Sequence, residues 1–138
     1  MSWTLTKEDY RYLSSIIHHP SSIIHQPTAE AVEAIVRQYA SRVGVISLVI
    51  DPEPEYGPYK LDLYTDSGNF FLMLAKYLED GEHDVKTISN QRAGAEMIEI
   101  LGDRYPARSM TKDINFICSC FKEFLRGGNV SESKLVIS

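Results

Sequence analysis

Apolar residues recur at helical spacing at two places in this chain, and at strand spacing in between. In "AEAVEAIVRQYASRV", residues 29–43, Val32, Ile35, Val36, Tyr39 and Val43 stand at i, i+3, i+4, i+7 and i+11. That spacing lines one face of a helix. Thr28, following Pro27, is placed to cap its start, and Gly44 to cap its end. A second helix is predicted in "TKDINFICSCFKEFLRGG". Its stripe is Ile114, Ile117, Cys118, Phe121, Phe124 and Leu125; Thr111 caps it, Asp113 lies in the positive first turn, and Gly127 or Gly128 ends it.

The intervening pattern is that of strands. "VISLVI", Val45 to Ile50, is a continuous β-branched run that reads as a strand buried on both faces. "DPEPEYGP" interrupts it with three prolines and a glycine and reads as a surface loop. "YKLDLYT" alternates, with Tyr59, Leu61 and Leu63 on one face and Lys60, Asp62 and Tyr64 on the other. "DSGN" turns into "FFLMLAKYL", and Asp80-Gly81 turns that run into "HDVKTI", a hairpin signal because glycine accepts positive φ. "NQRAGA" reads as a loop, and "EMIEIL" as a short strand ending at Gly102. The predicted fold class is α+β: a meander of about five antiparallel strands, with an N-terminal and a C-terminal helix packed on one sheet face. Residues 1–138 are read as a single domain. Within it, residues 1–27 form an N-terminal segment in which "TKEDYRYLSSII" is compatible with a further helix capped by Thr6.

Composition changes this picture little: 43% of residues are hydrophobic and 24% charged, which is ordinary for a globular domain. No basic and apolar leader opens the chain, its longest apolar runs are too short to cross a bilayer, and Cys118 and Cys120 suit a reducing compartment. The expectation is a cytoplasmic protein that does not engage membranes.

Charge changes it more. Residues 51–84 hold nine acids against Lys60 and Lys76, a local balance of −7. The rest of the chain holds ten acids and twelve bases, or +2, so the total is −5. Phosphate backbones demand lysine and arginine, so direct nucleic-acid binding is excluded. A concentrated acidic region attracts a basic protein surface instead. The candidate partner-binding residues are Asp51, Glu53, Glu55, Tyr56, Glu79, Asp80, Glu82 and Asp84. Tyr56, Tyr59, Tyr64 and Tyr77 lie in or beside this block and supply large rings with wet hydroxyls as contact anchors.

Motifs for chemistry are sparse. "SSIIHHPSSIIHQP", residues 14–27, is a heptad written twice, and it gathers His18, His19 and His25. Adjacent histidines diverge on any regular element, Pro20 breaks a helix between His18 and His25, and no carboxylate lies between Asp9 and Glu30. A copied surface segment is expected there, with no metal and no cofactor. The two cysteines read as packing rather than chemistry. Neither a nucleophile elbow nor a phosphate loop occurs, and no catalytic residue is assigned. His83 reads as a solvated turn residue. The alternative to a protein-binding surface is a small enzyme or ligand-binding domain, with Arg104, Arg108 and His83 around an anion pocket. An adaptor module of a larger complex is a further alternative.

The segment "EMIEILGDRYPARSMTKDINFICSCFKEFLRGGNVSESKLV" resembles the C-terminal half of Imm1-like bacterial immunity proteins of contact-dependent growth inhibition and polymorphic-toxin systems. The shared features are a strand ending at Gly102, the Tyr105-Pro106 loop, a helix begun at Asp113, and Phe124 to Gly128 before a tail. The hairpin around Asp80-Gly81 and Trp3 ahead of a helix and strand are similar to that group as well. Where the group often carries a tryptophan near its C-terminus, this chain has "KLVIS". The resemblance implies a non-catalytic antitoxin that binds and neutralises one cognate toxin domain, often a nuclease. Such a partner would be basic, and the protein itself a monomer or, through pairing of exposed sheet edges, a homodimer.

Overall fold

The structure, a computed structural model, describes residues 2–9 and 22–137. Two strands, β1 (Ser2–Asp9) and β2 (Ser22–His25), precede helix α1 (Ala29–Gln38). Four strands then follow in succession: β3 (Gly44–Asp51), β4 (Gly57–Asp66), β5 (Asn69–Tyr77) and β6 (His83–Ile88). A short hairpin of β7 (Met97–Ile100) and β8 (Asp103–Pro106) leads through β9 (Met110–Thr111) to helix α2 (Ile114–Gly127), and β10 (Leu135–Ile137) closes the order. The main sheet runs β10-β6-β5-β4-β3-β1-β2, with β9 paired to the end of β5. Every pairing in it is antiparallel.

The fold is therefore α+β, with a meander at the heart of its sheet and both helices on one face. Leu5, Ile46, Leu48, Leu61, Leu63, Leu72, Leu74 and Ile88 project from that face into one core with Val32, Val36, Ile117, Phe121 and Phe124 of the helices. Trp3 meets Phe124 edge-on, with ring centroids 5.1 Å apart. Burying each such side chain contributes about 1.5–3 kcal/mol. The two helices are also joined at the surface, where Glu33 of α1 binds both Arg37 and Lys122, and Arg37 donates to Asn115.

Several expectations need correction. β1 occupies residues for which a helix begun at Thr6 was compatible; Leu5 packs in the core while Thr4 and Thr6 alternate out of it. The rest of that segment, with His18 and His19, lies outside the described residues. Helix α1 starts as expected, since Thr28 Oγ1 accepts from Ala31 N at 3.1 Å. It stops at Gln38, passes into a 3₁₀ turn over Tyr39–Ser41, and leaves Gly44 as the first residue of β3 rather than a cap. In α2 the cap is Asp113, whose carboxylate accepts from Asn115 N and Phe116 N, while Thr111 accepts from Asp113 N one step earlier.

β3 is not buried on both faces. Ile46, Leu48 and Ile50 are buried, but Val45, Ser47 and Val49 are half-exposed on the face away from the helices. "EMIEIL" is not a strand of the meander either. It forms β7, which with β8 folds as a flap over one end of that second face. There Phe71, Ile100 and Met110 make a small separate core against Tyr64, Ile98 and Tyr105. Asp66 anchors the flap, because its Oδ2 accepts from Leu101 N at 3.1 Å.

Candidate functional site

Strand order decides where the acidic residues go. β4 begins where β5 ends, and Gly57 is paired with Tyr77. The β3–β4 loop, residues 52–56, and the β5–β6 turn, residues 78–82, therefore emerge side by side at one end of the sheet. Asp51, Glu53, Glu55 and Tyr56 come from the first; Glu79, Asp80 and Glu82 come from the second. Asp84 follows just inside β6, opposite Lys76. The six glutamates and aspartates other than Asp84 are exposed, as is Tyr56. All eight candidate residues thus stand at one end of the molecule.

A side-chain bond ties the first loop to the strand that leads into the second. The Tyr77 hydroxyl donates to Glu53 Oε1 at 3.0 Å, and this bond pushes the Tyr77 phenol up to about 12. In the β5–β6 turn, Asp80 Oδ1 accepts from Glu82 N, and Leu78 N donates to Glu82 O. Gly81 takes φ +89°, the left-handed conformation that the Asp80-Gly81 signal anticipated. The remaining acids of the 51–84 block, Asp62 and Asp66, are drawn inward. Asp62 accepts from Ser47 and pairs with Lys60 at 3.2 Å, and Asp66 holds the flap.

Aromatic rings stand beside the acids. The strand alternation predicted Tyr59 on the side of Leu61 and Leu63, but a register shift between Pro58 and Lys60 re-aims it. Tyr59 instead stacks on Tyr77, with centroids 4.3 Å apart and planes 14° from parallel. His83, exposed at the start of β6, meets the Tyr77 ring edge-on at 6.1 Å. Tyr64 belongs elsewhere, in the flap cluster with Phe71. Pro58 was the available signal for the shift, since proline within a strand favours bulges.

The alternative chemistry is not assembled. Arg104 lies in β8 and Arg108 in the turn after it, where its carbonyl accepts from Asn90 N. His83 stands at the start of β6, while Arg108 meets Asn90, beyond the other end of that strand. His25, in β2, is exposed. Among the described residues no group of histidine, cysteine, aspartate and glutamate is arranged to hold a metal ion. Cys118 and Cys120 are free and buried; burial raises both thiols, Cys120 to about 12, the reverse of an activated nucleophile. Among the described residues no helix is long and apolar enough to cross a membrane.

What the geometry defines is an α+β protein whose antiparallel sheet presents two adjacent, acid-rich loops at one end. The chain belongs to DUF6911, a family of unknown function, which matches residues 8–134. It is similar to a hypothetical protein from Neisseria gonorrhoeae of known crystal structure, at 26% identity and a TM-score of 0.75, across 94% of this chain and 91% of that one. No curated protein matches it.

Proposed function

We propose that this protein is a non-catalytic binding partner, an immunity protein that neutralises a basic toxin domain by docking it on the acidic end of the sheet. The observation that carries the reading is the convergence of the β3–β4 loop and the β5–β6 turn, with the first fastened to the end of β5 by the Tyr77–Glu53 bond. Seven of the nine acids of residues 51–84 then stand at one end of the molecule instead of being scattered over it. A nuclease needs a basic groove to hold phosphates, and a preformed acidic surface covers such a groove and speeds encounter by steering. The same electrostatics suits an adaptor on a permanent basic partner; the resemblance to Imm1-like proteins favours immunity.

The test is co-expression with the toxin domain encoded directly upstream of this chain's gene. Growth rescue by the wild type, with loss of rescue when Glu55, Glu79 and Glu82 become lysine, is the expected result. The absence of such a neighbouring toxin, or rescue unchanged by the three substitutions, contradicts the reading.

A further inference from the structure

The acidic loops are not the whole of that end of the molecule. Tyr59 and Tyr77 lie on the sheet face away from the helices, and the β7–β8 flap covers the other end of that face, at Tyr64 and Phe71. Between them runs a half-exposed surface that includes Val45, Ser47, Val49 and Lys60. Lys60 is held by Asp62, so its charge is compensated. At the same sheet end, a recess of about 230 Å³ is lined by Lys76, Lys86, Tyr56, Tyr77, Glu79 and Glu132, among others. Its two lysines make it a poor seat for a cation. Tyr77 borders this recess, but its stacking partner Tyr59 does not line it, and Glu53 is bonded to the Tyr77 hydroxyl.

We infer that the Tyr59–Tyr77 stack, with Glu53, is the anchor point for an arginine side chain of the docked basic protein. The inference rests on the acidic end being the docking surface, and it adds the chemistry of the contact. Two rings stacked face to face cover each other's inner faces and leave an outer face as a platform whose π-electrons attract a cation. A planar guanidinium stacks on such a platform and keeps its edge donors free for a carboxylate; an ammonium has no plane to stack and holds its water more tightly. Glu53 Oε1 already accepts from Tyr77, which fixes the carboxylate beside the rings and leaves its second oxygen for the incoming donor. Tyrosine and arginine are also the side chains on which binding energy concentrates at protein interfaces.

The experiment measures binding of nona-arginine and nona-lysine, equal in charge, to the full chain by calorimetry at low and physiological salt. The same titrations are run on Tyr59→Leu and Tyr77→Leu, with circular dichroism confirming that each variant is folded. Nona-arginine is expected to bind about fivefold tighter than nona-lysine, as exposed cation–π contacts allow. Each variant is expected to lose that preference while keeping its affinity for nona-lysine. Equal binding of the two peptides by the wild type, or a preference that survives both substitutions, overturns the arginine anchor and leaves the acidic docking surface standing. Failure of both peptides to bind at low salt removes the docking surface and the anchor together.

Discussion

The Tyr77 hydroxyl donates to Glu53 across 3.0 Å, fastening the loop after β3 to the last residue of β5. The bond exists only with the phenol protonated, which is why the group titrates late. The folded value lies above the ordinary one of 10, so this stabilisation is complete below about pH 10 and is lost as pH rises towards 12. Ultraviolet titration of the wild type should show a tyrosine ionising near pH 12. That late step should vanish in Tyr77→Phe and move back towards the ordinary range in Glu53→Gln. A late step that persists in Tyr77→Phe would assign it to another residue.

Asp66 gives the flap its hold on the sheet. Its carboxylate is buried and accepts from Leu101 N at the tip of the β7–β8 hairpin. Asp66→Ala strands that amide and should destabilise the fold by about 1–3 kcal/mol in denaturant unfolding. Hydrogen exchange should rise at residues 97–106 well before it rises in β3 and β4.

At the start of α2, Asp113 accepts two backbone donors while Thr111 sits two residues before that cap. Asp113→Ala should therefore lower stability by about 1 kcal/mol, and Thr111→Ala by clearly less. A larger loss for Thr111→Ala would restore the cap that the sequence suggested.

That small misplacement is typical of what the sequence did and did not reveal. Helix faces and the alternation of Leu61 and Leu63 were legible because burial repeats with the period of each element. Thr28, Asp80-Gly81 and the αL Gly128 were legible because caps and turns demand particular residue types. Three features depend on distant partners and were not. The β-branched run of β3 cannot reveal that one of its faces lacks a covering layer. The strand β7 reads like any other until its partner β8 folds it away from the meander. Tyr59 changes side through a bulge that Pro58 permits but does not require. The acidic residues were visible as a block along the chain; their meeting at one sheet end follows from the pairing of Gly57 with Tyr77.

The last strand carries an acid-sensitive latch. Glu123 of α2 accepts from Lys134 Nζ and from the amide and hydroxyl of Ser131, and these donors hold its carboxyl below the usual range. The folded value is depressed, so the contribution is present above the ordinary glutamate value and fades as pH falls through the folded one. Hydrogen exchange across 131–137 should accelerate on acidification in the wild type. In Glu123→Gln it should already be fast at neutral pH and respond less to acid. An identical acid response in both would place the sensitivity elsewhere.

The central claim is that the acidic end of the sheet meets a basic protein. Its most direct test is the association rate with the toxin domain of the proposed function, measured by stopped flow across a salt series. The comparison is between the wild type and the combined Glu55→Lys, Glu79→Lys, Glu82→Lys variant, which leaves the Tyr77–Glu53 bond in place. The account predicts association slower by about tenfold or more in the variant at low salt, with a much flatter salt dependence. Equal rates and equal salt slopes for the two proteins would contradict it.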